Sequence, residues 1–174
     1  MIIRVLSLVC LASTLGAQTV TRPASPVVDD LRAMWLRSAD LLAKSAAAVP
    51  ESSYAYRPVQ TVRTFGQIIG HVAGSQYAIC AMALGEKAPA EDEIEKTHTT
   101  KGALIEALTQ STAYCQKAYA QSDAAVGGTT DVFGSPGSRR SALVLNATHD
   151  FEHYGNVVTY MRALGMVPPS SQGQ

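Results

Sequence analysis

The chain has 174 residues, 14 basic and 14 acidic side chains, no net charge, and an apolar fraction of 47%. That length fits one domain, and the apolar content is enough for a core. Neither sign dominates, and the basic stripe with which a nucleic-acid binder neutralises phosphates is not visible in the sequence; Arg139-Arg140 is too small a group to imply one.

The N-terminal stretch MIIRVLSLVCLASTLGAQTVTR opens with one cation, Arg4. An apolar run follows from Val5 to Leu15, broken only by Ser7, Ser13 and Thr14, and then come the small residues Gly16 and Ala17. This is the pattern of a secretory signal peptide over residues 1–17, cleaved near Ala17–Gln18, with residues 18–25 as a linker. The run is too short to span a bilayer comfortably, so stable membrane insertion is not expected. The mature protein is expected to be exported, to a periplasmic or extracellular location. There Cys80 and Cys115 could pair, but the sequence does not fix the register of their helices. Two separate buried thiols are the expectation.

The first helix is predicted over about Pro26 to Ala48, where Leu31, Met34, Trp35, Leu41 and Leu42 recur at helical spacing. Ser25 is the predicted N-cap, with Pro26 suited to the first turn, and Pro50 ends the helix. ESSYAYRPVQTVR follows as a connector packed by Tyr54 and Tyr56. The second helix is predicted from about Thr64 to Leu84: Thr64 with Gln67 matches a capping box, and Gly85 suits the C-terminal cap. A polar loop, EKAPAEDEIEKTHTT, leads to a third helix from about Lys101 to Gln121, whose core candidates are Leu104, Leu108, Cys115 and Ala118. A long loop with a short extended piece at Thr130 to Phe133 precedes a fourth helix, from near Ser138 to Gly165. Pro168 and Pro169 forbid its continuation, and the tail 167–174 is expected to be loose. The fold class is therefore all-α, a four-helix bundle with long crossover loops over residues 26–166.

In THDFEHYGNVVTYMRALG, His149 and His153 stand four residues apart. On a helix that spacing separates them by about 40° around the axis and about 6 Å along it, near enough for both imidazoles to bind one ion. Asn146, Asn156 and Tyr160 continue the same stripe beside apolar Leu145, Val157 and Leu164, which reads as a polar seam running into a core. Burying such groups is costly unless they are paired or ligated. A histidine pair on a solvated face is the alternative, since Asp150 and Glu152 beside it suit solvent. On the second helix, His71 lies among Ile68, Ile69 and Val72, flanked by small residues that admit a close neighbour. A lone histidine in such surroundings is more often a hydrogen-bonded core residue than a ligand. Cys80 points to another side of that helix, and His98 reads as a surface residue. Together, His71, His149 and His153 would offer three neutral nitrogen donors with coordination positions left open, a set that suits Zn, Ni, Fe or Cu. Gln67, Asn156 or Tyr160 could orient ligands or substrate from behind.

The segments RPVQTVRTFGQIIGHVA, GHVAGSQYA and THDFEHYGNVVTYMRALG resemble the DinB-like four-helix-bundle metalloproteins, and the resemblance covers roughly residues 27 to 166. It implies a divalent-metal site, with Zn, Ni or Fe foremost, on His71, His149 and His153. It also implies a homodimer and an activity of the thiol-dependent transferase, isomerase or metal-dependent hydrolase kind on a small molecule. This chain has Asn156 where many members place Gln. An exported chain is also separated from the low-molecular-weight thiols of the cell interior. Tyr160 is a candidate hydrogen-bond donor to a developing anion, and Glu152 a candidate general base. The alternatives are a non-catalytic metal-binding or stress-associated bundle, and an interaction module in which the histidines are incidental.

Overall fold

The computed structural model describes residues 25–173; the expected signal peptide and all but the end of the linker lie outside the described residues. Helix α1 spans Pro26–Ala48, with Pro26 in its first turn. The Ser25 hydroxyl does not cap it. Instead the Asp123 carboxylate accepts from the amides of Val27 and Val28 at 3.2 and 3.0 Å. This is a long-range cap, which no local pattern reveals. Trp35 and Leu42 are fully buried, each contributing roughly 1.5–3 kcal/mol through burial. Met34, on the predicted stripe, is 37% exposed, so the apolar face is narrower than its spacing suggests. In the connector, the Tyr54 hydroxyl donates to the Ala46 carbonyl at 2.7 Å, and its ring meets Phe65 edge-on at 5.1 Å.

Helix α2, Phe65–Leu84, begins with the predicted capping box: Thr64 Oγ1 accepts from the Gln67 amide and Gln67 Oε1 from the Thr64 amide, at 3.2 and 2.8 Å. Nearly all of α2 is buried, which makes it the central helix. The predicted polar loop contains a short helix, α3, at Glu93–Thr97. Helix α4, Lys101–Ala118, buries Leu104, Leu108, Cys115 and Ala118 as their spacing predicts. It stops short of the predicted Gln121, and Tyr119, just past its end, stacks on Trp35 at 4.5 Å.

Cys80 and Cys115, expected as separate thiols, form a disulfide that ties α2 to α4, with Cα atoms 5.3 Å apart. Strand β1, Thr129–Val132, is the predicted extended piece. It pairs antiparallel with β2, Ser135–Ser138, around Phe133 and Gly134. Helix α5, Arg139–Ala163, opens with a second capping box between Ser138 and Ser141. The tail, expected to be loose, makes a turn at Pro169–Ser171, where the Ser170 amide donates to the Tyr154 hydroxyl at 3.0 Å.

The protein is thus an all-α bundle of four long helices, with α3 and the hairpin set in its crossovers. Helix α2 packs on α4 and α5, while α1 packs on α5 and less extensively on α4. Among the described residues no helix is long and apolar enough to cross a membrane.

Candidate metal centre

The packing of α2 on α5 brings His71 to His149 and His153. The Nε2 atom of His149 lies 3.2 Å from that of His71 and 3.1 Å from that of His153. Three ring nitrogens directed at one point cannot all be satisfied by one another, because a neutral imidazole has one N–H and one lone pair. A cation between them resolves the conflict. Two nitrogens each about 2.0–2.1 Å from a metal stand roughly 2.9–3.4 Å apart at octahedral to tetrahedral angles, and the observed spacings fall inside that range. These three residues form a group that could hold a metal ion.

The surroundings favour neutral imidazoles. Burial, reinforced by the charge of Arg63 and by His149, lowers His71 from 6.5 to about 4. Burial, with His149, His71 and Arg63 adding to it, lowers His153 to about 3. Burial also lowers His149, although the carboxylates of Glu91 and Glu152 oppose the shift. The lone pairs are therefore available at neutral pH, as metal ligation requires.

The other predicted residues separate. Asn156 Nδ2 lies 3.3 Å from His153 Nδ1, behind the proposed ligand. Tyr160 lines a cavity together with His153 and Asn156, but its hydroxyl donates to the Arg63 carbonyl at 2.7 Å. The Gln67 side-chain oxygen is engaged in the capping box. Glu152 is exposed and acts on His149 only through its charge. Asp150, which reads as a solvent-facing acid, is fully buried: it accepts from Gln76 at 2.8 Å, and Gln76 in turn accepts from Ser111 at 2.8 Å and Thr112 at 3.2 Å. Burial raises Asp150 to about 7 against the pull of Gln76 and, more weakly, of the nearby Trp35 indole. Asn146 donates to the Tyr119 hydroxyl at 3.2 Å, away from the centre.

The polar crossover supplies residues that the sequence did not single out. Glu91 Oε1 lies 3.9 Å from His71 Nε2 and accepts a hydrogen bond from Ser75. Glu95 Oε2 lies 3.7 Å from His71 Nδ1, and Arg63 Nε donates to both Glu95 oxygens at 3.0 Å. This strap can lie so close because α2 offers glycines. A Cβ on Gly70 would stand 2.9 Å from the Glu95 Cα, and one on Gly74 only 1.9 Å from the Glu91 carbonyl oxygen. The four-residue spacing of Gly70 and Gly74 was the signal that another backbone approaches here, while Gly66, one turn earlier, faces Tyr54 and Leu104. A cavity of about 510 Å³ opens beside His153, walled by Pro58, Val62 and Ile68 and carrying Arg63, Asn156 and Tyr160.

Fold and site together define a helical bundle with a three-histidine centre shared between two helices. Residues 34–157 match the DinB superfamily, and the chain belongs to that family. It is 25% identical over 123 residues to the Bacillus subtilis protein YjoA, covering 69% of this chain and 79% of that one. The YjoA crystal structure superposes with a TM-score of 0.65 at 19% identity, over 83% of this chain and 99% of that chain. A DinB-like protein from Bacillus cereus gives 0.71 at 17% identity, over 81% of this chain and 95% of that chain. A mycothiol-dependent maleylpyruvate isomerase gives 0.65 at 16% identity, over 75% of this chain but 60% of the isomerase. These structural likenesses concern the fold.

Proposed function

We propose that the protein is a metal-dependent enzyme that holds a divalent transition metal on His71, His149 and His153 and acts on a small molecule by hydrolysis. The observation that carries this reading is the convergence of three neutral imidazoles, with His149 Nε2 3.2 Å from that of His71 and 3.1 Å from that of His153, beside an open cavity. Three protein ligands leave positions for substrate and nucleophile. When bound, such a metal lowers the pKa of a coordinated water or thiol toward neutrality.

The chain's own residues supply the rest. The carboxylate of Glu91, held by Ser75 with its oxygen 3.9 Å from His71 Nε2, is placed to take the proton that the nucleophile loses; it replaces Glu152 in that role. Asn156 holds His153 from behind, and Pro58, Val62 and Ile68 give the cavity an apolar side against which a substrate can rest. The disulfide favours an oxidising compartment, in line with the proposed export, and it is this that favours water over a cellular thiol as nucleophile. Thiol-dependent transfer remains the second reading, supported by the shared fold of the mycothiol-dependent isomerase. We also propose a homodimer, as the sequence resemblance implies.

Panels of ester, amide and thiol-transfer substrates, run on metal-reconstituted protein beside Glu91→Gln, test the reading. Hydrolysis lost in the variant supports it. Turnover only in the presence of an added thiol favours the second reading. Metal-loaded protein inert across all three panels favours a non-catalytic metal-binding bundle.

A further inference from the structure

A histidine that ligates through Nε2 carries its proton on Nδ1, and a metal site is tuned by what accepts that proton. The three outer nitrogens differ in this respect. His153 Nδ1 has the Asn156 amide at 3.3 Å, which would present its oxygen to an Nδ1–H. His149 Nδ1 is buried without a hydrogen-bond partner. His71 Nδ1 is also buried and unbonded, yet it faces the Glu95 carboxylate at 3.7 Å.

Glu95 is not a loose surface acid. Its side chain is 14% exposed and Arg63 grips both its oxygens. Its backbone rests on α2 where Gly70 leaves room. We infer that Glu95 is a positioning residue for His71: its carboxylate accepts a hydrogen bond from Nδ1–H, fixes the tautomer that turns Nε2 to the centre, and strengthens the Nε2 lone pair as a ligand, while Arg63 holds the carboxylate in place. A closure of about 1 Å brings the pair to hydrogen-bond distance. The acidic strap thus belongs to the metal site rather than to the solvated surface. This rests on the metal reading above.

The test uses the full chain and zinc as probe, with affinity measured by competition against a chromophoric chelator. Glu95→Gln is expected to bind zinc about 10- to 100-fold more weakly, with stoichiometry and helical circular dichroism unchanged. NMR of zinc-loaded, nitrogen-15-labelled protein supplies a readout that a merely structural role would not move. The His71 Nδ1–H resonance is expected well downfield of that of His149, and shifted upfield in E95Q while that of His153 stays. Wild-type zinc affinity in E95Q, or an unmoved His71 resonance, overturns the inference. Should E95Q fail to fold, the wild-type spectrum decides, and a His71 Nδ1–H no further downfield than that of His149 overturns it. A wild-type chain that binds no zinc removes the metal reading itself, an outcome distinct from a bound metal indifferent to Glu95.

Discussion

Replacing both Cys80 and Cys115 by Ala removes the disulfide that joins α2 to α4. The bridged residues are 35 apart in sequence and both are fully buried. Cross-linking stabilises chiefly by restricting the unfolded chain, and a loop of that length corresponds to about 4 kcal/mol at 25 °C in the chain-entropy model. That is a large part of a typical domain stability of roughly 5–15 kcal/mol. For a domain of this size it corresponds to a fall in Tm of roughly 8–16 °C. Urea unfolding of the double variant beside wild type measures the difference. Alkylation in denaturant without reductant, followed by peptide mapping, reports whether the wild-type cysteines are paired. A loss below about 1 kcal/mol would show that the cross-link does not stabilise the fold, and full alkylation of both wild-type cysteines would show that it does not form and remove the main structural support for export.

Gly74→Ala forces a Cβ to within 1.9 Å of the Glu91 carbonyl oxygen; overpacking of this kind costs about 1–3 kcal/mol, and thermal unfolding should show it together with faster amide exchange in residues 91–97. Asp150 is raised from 3.8 to about 7 in the fold, so the folded state binds its proton more tightly and this group's contribution to stability falls as pH rises from about 4 to about 7. Asp150→Asn should remove that fall: the stability difference between variant and wild type should move in the variant's favour across this window and level off above it, as read by denaturant unfolding at stepped pH. In the metal-free protein His71 and His153 are lowered to about 4 and about 3, so the unfolded state takes up their protons first. Their contribution is lost as pH falls from about 6.5, and His71→Gln should flatten part of that acid limb in a pH titration of Tm.

The long helices were legible because each is set by short-range rules. Spacing on α4 located Leu104, Leu108 and Cys115, and Thr64–Gln67 marked the start of α2. The i, i+4 pair His149 and His153 was legible for the same reason, and His71 stood out as a polar residue in an apolar helix. What depended on tertiary register was not legible. The disulfide needed the relative slide of α2 and α4, and Asp123 caps α1 from across the fold. Asp150 looked like a surface acid because its partner Gln76 lies 74 residues away. The strap was missed because five helical residues, Glu93–Thr97, carry almost no apolar periodicity. What holds it is the glycine track on α2, a feature of the partner helix rather than of the strap itself.

The proposed function rests on a metal held by His71, His149 and His153. Elemental analysis of protein purified without an affinity tag, wild type beside His71→Ala, tests it most directly. About one divalent transition-metal ion per wild-type chain and a near-complete loss in the variant are expected; equal, negligible metal in both would mean that the three histidines bind none.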